Sequence, residues 1–190
     1  MNRYLLCLVG LLVWPAATNA RTERAHGAHV HGITTVDIAQ DGRQLGVGFE
    51  MPGMNAVGYE HPPRSAAEQA QLDSALKILN NPVDWFVPNV EARCKITAVE
   101  VTPNGFGVSS AAPAAGVETT SAEHHEHADI DVRYQYECEA PLNLRSIDLR
   151  LIERFPQTHE VRVNVVSPGG QAQEQFSSPQ DTITLSPAGL

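Results

Sequence analysis

The 190-residue sequence is poor in the residues on which several classes of protein depend. Lys and Arg number 13 against 22 Asp and Glu, for a formal net charge of −9, which disfavours charge-driven binding to nucleic acid or anionic lipid. Only three methionines occur, so a methionine-rich copper(I) site is not indicated. The sequence also lacks an HExxH motif, a G-x-S-x-G motif and a phosphate-binding glycine loop. We therefore predict that the protein is not an enzyme.

Long apolar runs are scarce too, and the one that exists is N-terminal. Residues 4–14 are apolar, they follow Arg3, and Thr18 and Ala20 stand at the −3 and −1 positions of a cleavage site. This pattern is typical of a secretory signal peptide, predicted over 1–20. The run is too short to span a bilayer. Residues 21–190 are predicted to form a single exported domain that is not embedded in a membrane.

Cysteine is rare. Of three cysteines, Cys7 lies in the predicted signal peptide, which leaves Cys94 and Cys138. An even count in an oxidising compartment predicts a disulfide between these two residues. The alternative is a pair of free buried thiols.

The remaining sequence alternates between polar and apolar residues in several stretches, as expected of half-buried strands. Asp41-Gly42 predicts a hairpin turn, and Ser65 with Glu68 forms a capping box at the start of a helix over about 65–79. The fold class predicted is α+β, mainly antiparallel β-sheet with one principal amphipathic helix. The predicted strands are 29–38, 45–51, 92–101, 128–138, 146–152 and 159–166, with weaker candidates near 171–176 and 182–185.

One segment interrupts this pattern. Residues from about 103 to 127 are rich in Ala, Gly, Pro, Ser and Thr and end in a group of histidines. Such a composition cannot bury enough apolar surface to order itself, so we predict a flexible, histidine-containing insert.

Six of the eight histidines fall in two clusters, and imidazole is a common ligand for zinc. On a strand, His29 and His31 would share one face, as would His127 and Asp129. We hypothesise that these two strands lie close together and complete a tetrahedral zinc site. The candidate ligands are His26, His29, His31, His61, His124, His125, His127 and Asp129.

Each candidate also has a simpler interpretation. Histidines in a flexible insert bind divalent metals weakly whatever their purpose. The N-terminal histidines could belong to a flexible leader, and His61 could be a hydrogen-bonding loop residue. His159 stands alone, and we expect it to be structural.

The order of motifs resembles that of the ZrgA family of periplasmic zinc-binding proteins. The resemblance rests on "AHVHG", "GYEHPP", "EARC", "HADIDVRYQYEC" and "VNVVSPGGQ" in that order, over nearly all of the chain after residue 20. It implies a periplasmic protein that binds zinc and assists its uptake alongside a transport system in the inner membrane. By resemblance, the site residues are His26, His29, His31, His61, His127 and Asp129.

Other functions remain open from sequence alone. A copper or nickel chaperone would use the same imidazole ligands. A metal-dependent hydrolase would need an open position on the metal. In a structural or adhesion module, the histidines would be incidental.

Zinc affinity is expected to fall as the pH is lowered from about 7.5 to 5, because an imidazole must lose its proton before it can bind a metal ion. Isothermal titration of zinc at several pH values measures this. An affinity that does not change over this interval would mean that histidine is not the main ligand.

Overall fold

The computed structural model describes residues 30–107 and 127–185, and the predicted signal peptide lies outside them. Seven neighbouring strand pairs build two sheets within this part of the chain, and all but one pair are antiparallel. The six-stranded sheet has the order β4-β5-β2-β1-β7-β8, and the three-stranded sheet has the order β3-β6-β9. The strands are β1 Ile33–Asp41, β2 Gln44–Pro52, β3 Phe86–Pro88, β4 Cys94–Asn104, β5 Asp129–Cys138, β6 Ser146–Leu149, β7 Glu160–Ser167, β8 Gly170–Phe176 and β9 Asp181–Thr184.

Strands β1 and β2 form the predicted hairpin. Asp41 pairs with Gln44 across a two-residue turn, and Gly42 has a φ of 53°, a conformation that glycine adopts without steric cost. The apolar positions of β2 and β5 are buried as predicted because alternate residues of a strand face the same side. They include Leu45, Val47, Phe49, Met51, Ile130, Val132, Tyr134 and Tyr136.

One long helix packs on this core. The helices are α1 Gly53–Val57, α2 Ala66–Leu79 and α3 Leu151–Arg154. The serine half of the predicted capping box is confirmed, since the Glu68 N–H donates to Ser65 Oγ at the start of α2. The Glu68 carboxylate accepts from the Arg64 N–H instead of the Ser65 N–H. At the other end of α2, the Tyr134 hydroxyl donates to the Leu79 carbonyl and Trp85 Nε1 donates to the Ile78 carbonyl. Two buried aromatic side chains thus satisfy carbonyl groups that a helix end leaves unpaired.

The register of β4 and the end of β6 differ from the sequence-based expectation. A register shift between Ile96 and Ala98 interrupts β4, so that Ala98 is exposed while Val99 turns toward the core. A bulge adds one residue and reverses the alternation beyond it. The strand predicted over 146–152 ends at Leu149 and is followed by α3.

The beginning of the predicted insert is sheet rather than loop. Pro103 and Asn104 pair with Ile130 and Asp129 in β4 and β5, and Phe106 is buried. Residues 108–126, which make up most of the predicted insert, lie outside the described residues.

Cys94 and Cys138 face each other across β4 and β5 and form the predicted disulfide. The bridge joins residues separated by 44 positions, and the predicted insert lies within the chain segment that it closes. It therefore restricts the freedom of this segment in the unfolded chain.

Replacing both Cys94 and Cys138 by alanine is expected to lower the free energy of unfolding by about 3–4 kcal/mol, the loop-closure contribution for a loop of this length. Denaturant titration measures the change. Dithiothreitol should destabilise the wild type in the same way and leave the double variant unaffected. A double variant as stable as the oxidised wild type would contradict the prediction.

Candidate metal site

Three strands of the large sheet begin at the same end, and each is preceded by a histidine. Strand β2 is antiparallel to both β1 and β5, and β7 is parallel to β1, so β1, β5 and β7 run in one direction. His31 lies two residues before β1, His127 two residues before β5, and His159 directly before β7. We call this end of the sheet, defined by these three residues, the histidine end.

The turn that contains His31 is held by a buried asparagine. The Gly32 N–H donates to Asn55 Oδ1 at 2.7 Å, and Asn55 Nδ2 donates to the Ile33 carbonyl at 2.9 Å and to Thr34 Oγ1 at 3.1 Å. Asn55 is fully buried, so these bonds form away from water, where an unpaired amide would be costly. Asn55 on α1 thus fixes the backbone of the turn that contains His31.

The same short helix also fixes the segment that contains His127. The Gly53 N–H at the start of α1 donates to the Ala128 carbonyl at 2.7 Å. A Cβ at position 53 would come within 2.5 Å of the Tyr59 carbonyl oxygen and 2.7 Å of the Ala128 carbonyl oxygen. Only glycine allows this approach, and it places the two histidine-bearing segments on either side of α1.

Glu60 joins the two histidines. Its Oε1 lies 3.0 Å from His31 Nε2, and its Oε2 lies 2.8 Å from His127 Nδ1. The Glu60 side chain is only 9% exposed, whereas those of His31 and His127 are 53% and 60% exposed. The result is a buried carboxylate between two accessible imidazoles.

The two contacts of Glu60 differ in kind. The contact with His127 is a hydrogen bond, in which Nδ1 donates to Oε2 when it bears the proton. The contact with His31 is close but not aligned as a hydrogen bond, and Oε1 is a buried atom without a hydrogen-bond partner. Two ligands of a tetrahedral zinc ion, bonded at 2.0–2.2 Å, stand about 3.3–3.6 Å apart. Oε1 and His31 Nε2 are somewhat closer than this, so a small movement of either side chain would admit the ion.

The loop that bears Glu60 is anchored by the preceding residue. The Tyr59 hydroxyl donates to the Glu68 carbonyl at 2.6 Å, and its ring packs edge-on against Phe106. Burial, with the nearby charges of Glu68 and Asp73, raises the pKa of Tyr59. These contacts hold the residue directly before Glu60 in place.

The other candidate ligands within the described residues lie outside this contact. The ring of His61 stacks on Tyr59, and its Nδ1 lies 2.9 Å from the Pro62 carbonyl oxygen. Asp129 is buried in β5, and its Oδ1 accepts a hydrogen bond from Asn104 Nδ2 at 2.8 Å. The remaining candidates lie outside the described residues and stay predictions: His26, His29, His124 and His125.

Sequence reasoning placed His31 on a strand and did not select Glu60. His31 lies in a turn because β1 begins only at Ile33, after Gly32 with a φ of 83°. Glu60 belongs to an irregular loop without periodicity, and its only sequence signal is its position next to His61. Strand β2 separates β1 from β5, and Glu60 contacts both histidines that precede these two strands. The shared zinc site stays a prediction.

Chemically, the His31–Glu60–His127 cluster offers nitrogen and oxygen donors suited to zinc. Within residues 30–107 and 127–185, no group of three or more His, Cys, Asp or Glu is already arranged to hold a metal ion. A metal ion would therefore have to enter between Glu60 Oε1 and His31 Nε2 and replace their direct contact.

Among the described helices, none has both the length and the apolar character needed to cross a membrane. Comparison with known proteins gives a match to a family. No curated protein matches the chain. The sequence pattern of a family described as "ZrgA family zinc uptake protein" matches residues 28–185. This match includes every residue of the His31–Glu60–His127 cluster.

Proposed function

This chain belongs to the ZrgA family of zinc uptake proteins, and from this premise we propose that its His31–Glu60–His127 cluster captures zinc. Glu60 Oε1 and His31 Nε2 are the first pair of ligands. His127 holds Oε2, which fixes the orientation of the carboxylate. The observation that supports this most directly is the buried Oε1, which lacks a hydrogen-bond donor although an imidazole nitrogen is 3.0 Å away.

The charges around Glu60 favour a bound cation over a hydrogen-bond donor from the protein as the partner of its carboxylate. Its ion-pair contacts among the described residues are with His31 and His127, and neither Lys nor Arg in that part of the chain pairs with it. A buried carboxylate without a positive partner is costly, and a bound divalent ion removes that cost. The formal charge of −9 also attracts cations to the protein as a whole.

The role that follows is capture of zinc in the periplasm and its delivery to a transport system in the inner membrane, without catalysis. Export is supported by the signal-peptide pattern at residues 1–20 and by the disulfide, which persists in oxidising compartments. Zinc is the cargo, so the site has to release the ion as well as bind it. Imidazoles that are more than half exposed suit such exchange.

Replacing Glu60 by glutamine is expected to lower zinc affinity by at least about tenfold, because it removes the only carboxylate in the cluster. His31→Gln should have an effect of similar size. Competition against a zinc-chelating dye measures both constants.

Glu100→Gln is the matched control for Glu60→Gln. It removes the same charge from β4, where the Glu100 carboxylate is 64% exposed and lies 3.7 Å from Arg133. The control should change zinc affinity by less than about twofold, since exposed charges are screened by salt. Equal effects of the two variants would refute the proposed site.

Replacing Asn55 by alanine should weaken zinc binding by about tenfold, an effect of the size seen when the support of a ligand is lost. The substitution leaves the Gly32 N–H without its acceptor, so the turn bearing His31 is freed. Thr34→Val is the control, because it removes only the hydroxyl and keeps the bonds from Asn55 to Gly32 and Ile33. Affinities should be compared under conditions where circular dichroism shows both variants folded, and equal affinities would contradict a positioning role.

A further inference from the structure

We propose that His159 supplies a further imidazole to the zinc ion at the histidine end, joining it from the side of β7. This inference rests on the proposed zinc site. It adds to that site a residue that stands alone in the sequence and to which the family match gives no role.

Strand topology brings His159 beside the His31 turn. Because β7 is parallel to β1, with Ile33 opposite Glu160, the residues that precede the two strands are neighbours. The His159 and Glu160 N–H groups both donate to the Gly32 carbonyl, at 2.7 and 3.0 Å. The backbone of His159 is therefore tied directly to the residue that follows His31.

The side chain of His159 lies on the same turn. Its Nδ1 is 3.1 Å from the position that a Cβ on Gly32 would occupy. The glycine thus leaves room for the imidazole to lie against the backbone next to His31. A larger residue at position 32 would push the ring away.

The imidazole of His159 is uncommitted. The side chain is exposed, and within the described residues its ring nitrogens take part in neither a hydrogen bond nor an ion pair. His61, by contrast, is stacked on Tyr59 and has Nδ1 close to a carbonyl oxygen. Such an imidazole can turn toward an ion without breaking a hydrogen bond or an ion pair.

The strand order places His159 next to His31 along the histidine end. Along the histidine end the sequence of groups is His127 before β5, Glu60 in the chain after β2, His31 before β1 and His159 before β7. Zinc prefers four ligands, and Glu60 with His31 provides two of them. His127 is engaged on the far oxygen of Glu60, whereas His159 adjoins His31 on the opposite side.

His159→Gln is expected to lower zinc affinity by at least about tenfold, as measured by dye competition on the full protein. His159→Asp, which keeps a zinc-binding oxygen, should recover part of this loss. Because the side chain is exposed, neither variant should change the stability of the zinc-free protein. A glutamine variant that binds zinc as tightly as the wild type would overturn the inference.

NMR of protein labelled with ¹⁵N-histidine provides a second measurement. The ring nitrogens of His159 should shift with the first equivalent of zinc, together with those of His31. If His31 responds at the first equivalent and His159 does not, the inference fails and the proposed function stands. If neither histidine responds, and Glu60→Gln leaves affinity unchanged, the proposed function itself fails.

Discussion

The hydrogen bonds of α1 to two strand starts are the constraint on which the histidine end depends. The Gly53 N–H donates to the Ala128 carbonyl at the start of the helix. Two residues later, Asn55 accepts from the Gly32 N–H and donates to the Ile33 carbonyl and to Thr34 Oγ1. These strand starts flank β2, so a spacing of about 4.8 Å per strand would leave them roughly 10 Å apart. The helix spans that gap with buried, aligned bonds. Glu60 follows α1 in the chain and therefore lies between the two histidines.

The electrostatic arrangement follows from this geometry. Packing around Tyr59 and α1 holds a carboxylate that is 9% exposed next to imidazoles that are more than half exposed. In water, a carboxylate makes several hydrogen bonds, whereas the Oε1 of Glu60 has none. The protein thus keeps one buried anion incompletely satisfied. A divalent ion completes its coordination more effectively than a neutral donor, because the local dielectric strengthens the interaction.

Much of the fold could be predicted from the sequence, and the reasons are local. Alternation assigned the buried faces of β2, β5 and β7, and Gly42 and Ser65 marked a turn and a helix start. The bulge in β4 could not be foreseen, since Thr97 is as compatible with regular alternation as with an inserted residue. The parallel pairing of β1 with β7 depends on contacts between segments more than a hundred residues apart, which periodicity does not encode.

For the candidate site, the sequence indicated the chemistry better than the geometry. Clustering drew attention to His31 and His127. It did not select Glu60 or His159, because their positions beside His31 arise only from the tertiary structure. Alternation correctly placed Asp129 on a strand. It did not indicate that the Asp129 carboxylate would be buried against Asn104. A residue beside a strand end can therefore be more available to a ligand than one on the strand itself.

The separation of the site from the core is consistent with the reversible metal binding that the proposed function requires. The buried apolar cluster is formed by Trp85, Tyr134, Leu72 and their neighbours, and the disulfide closes β4 against β5 at the end opposite to His127. Neither element needs zinc, unlike a structural zinc site, where the metal supplies the folding free energy. Only Glu60 and the backbone of the histidine turns are fixed by packing, while the imidazoles reach solvent. Under the proposed function, a ligand on the receiving transporter would replace the imidazoles one at a time without unfolding the protein.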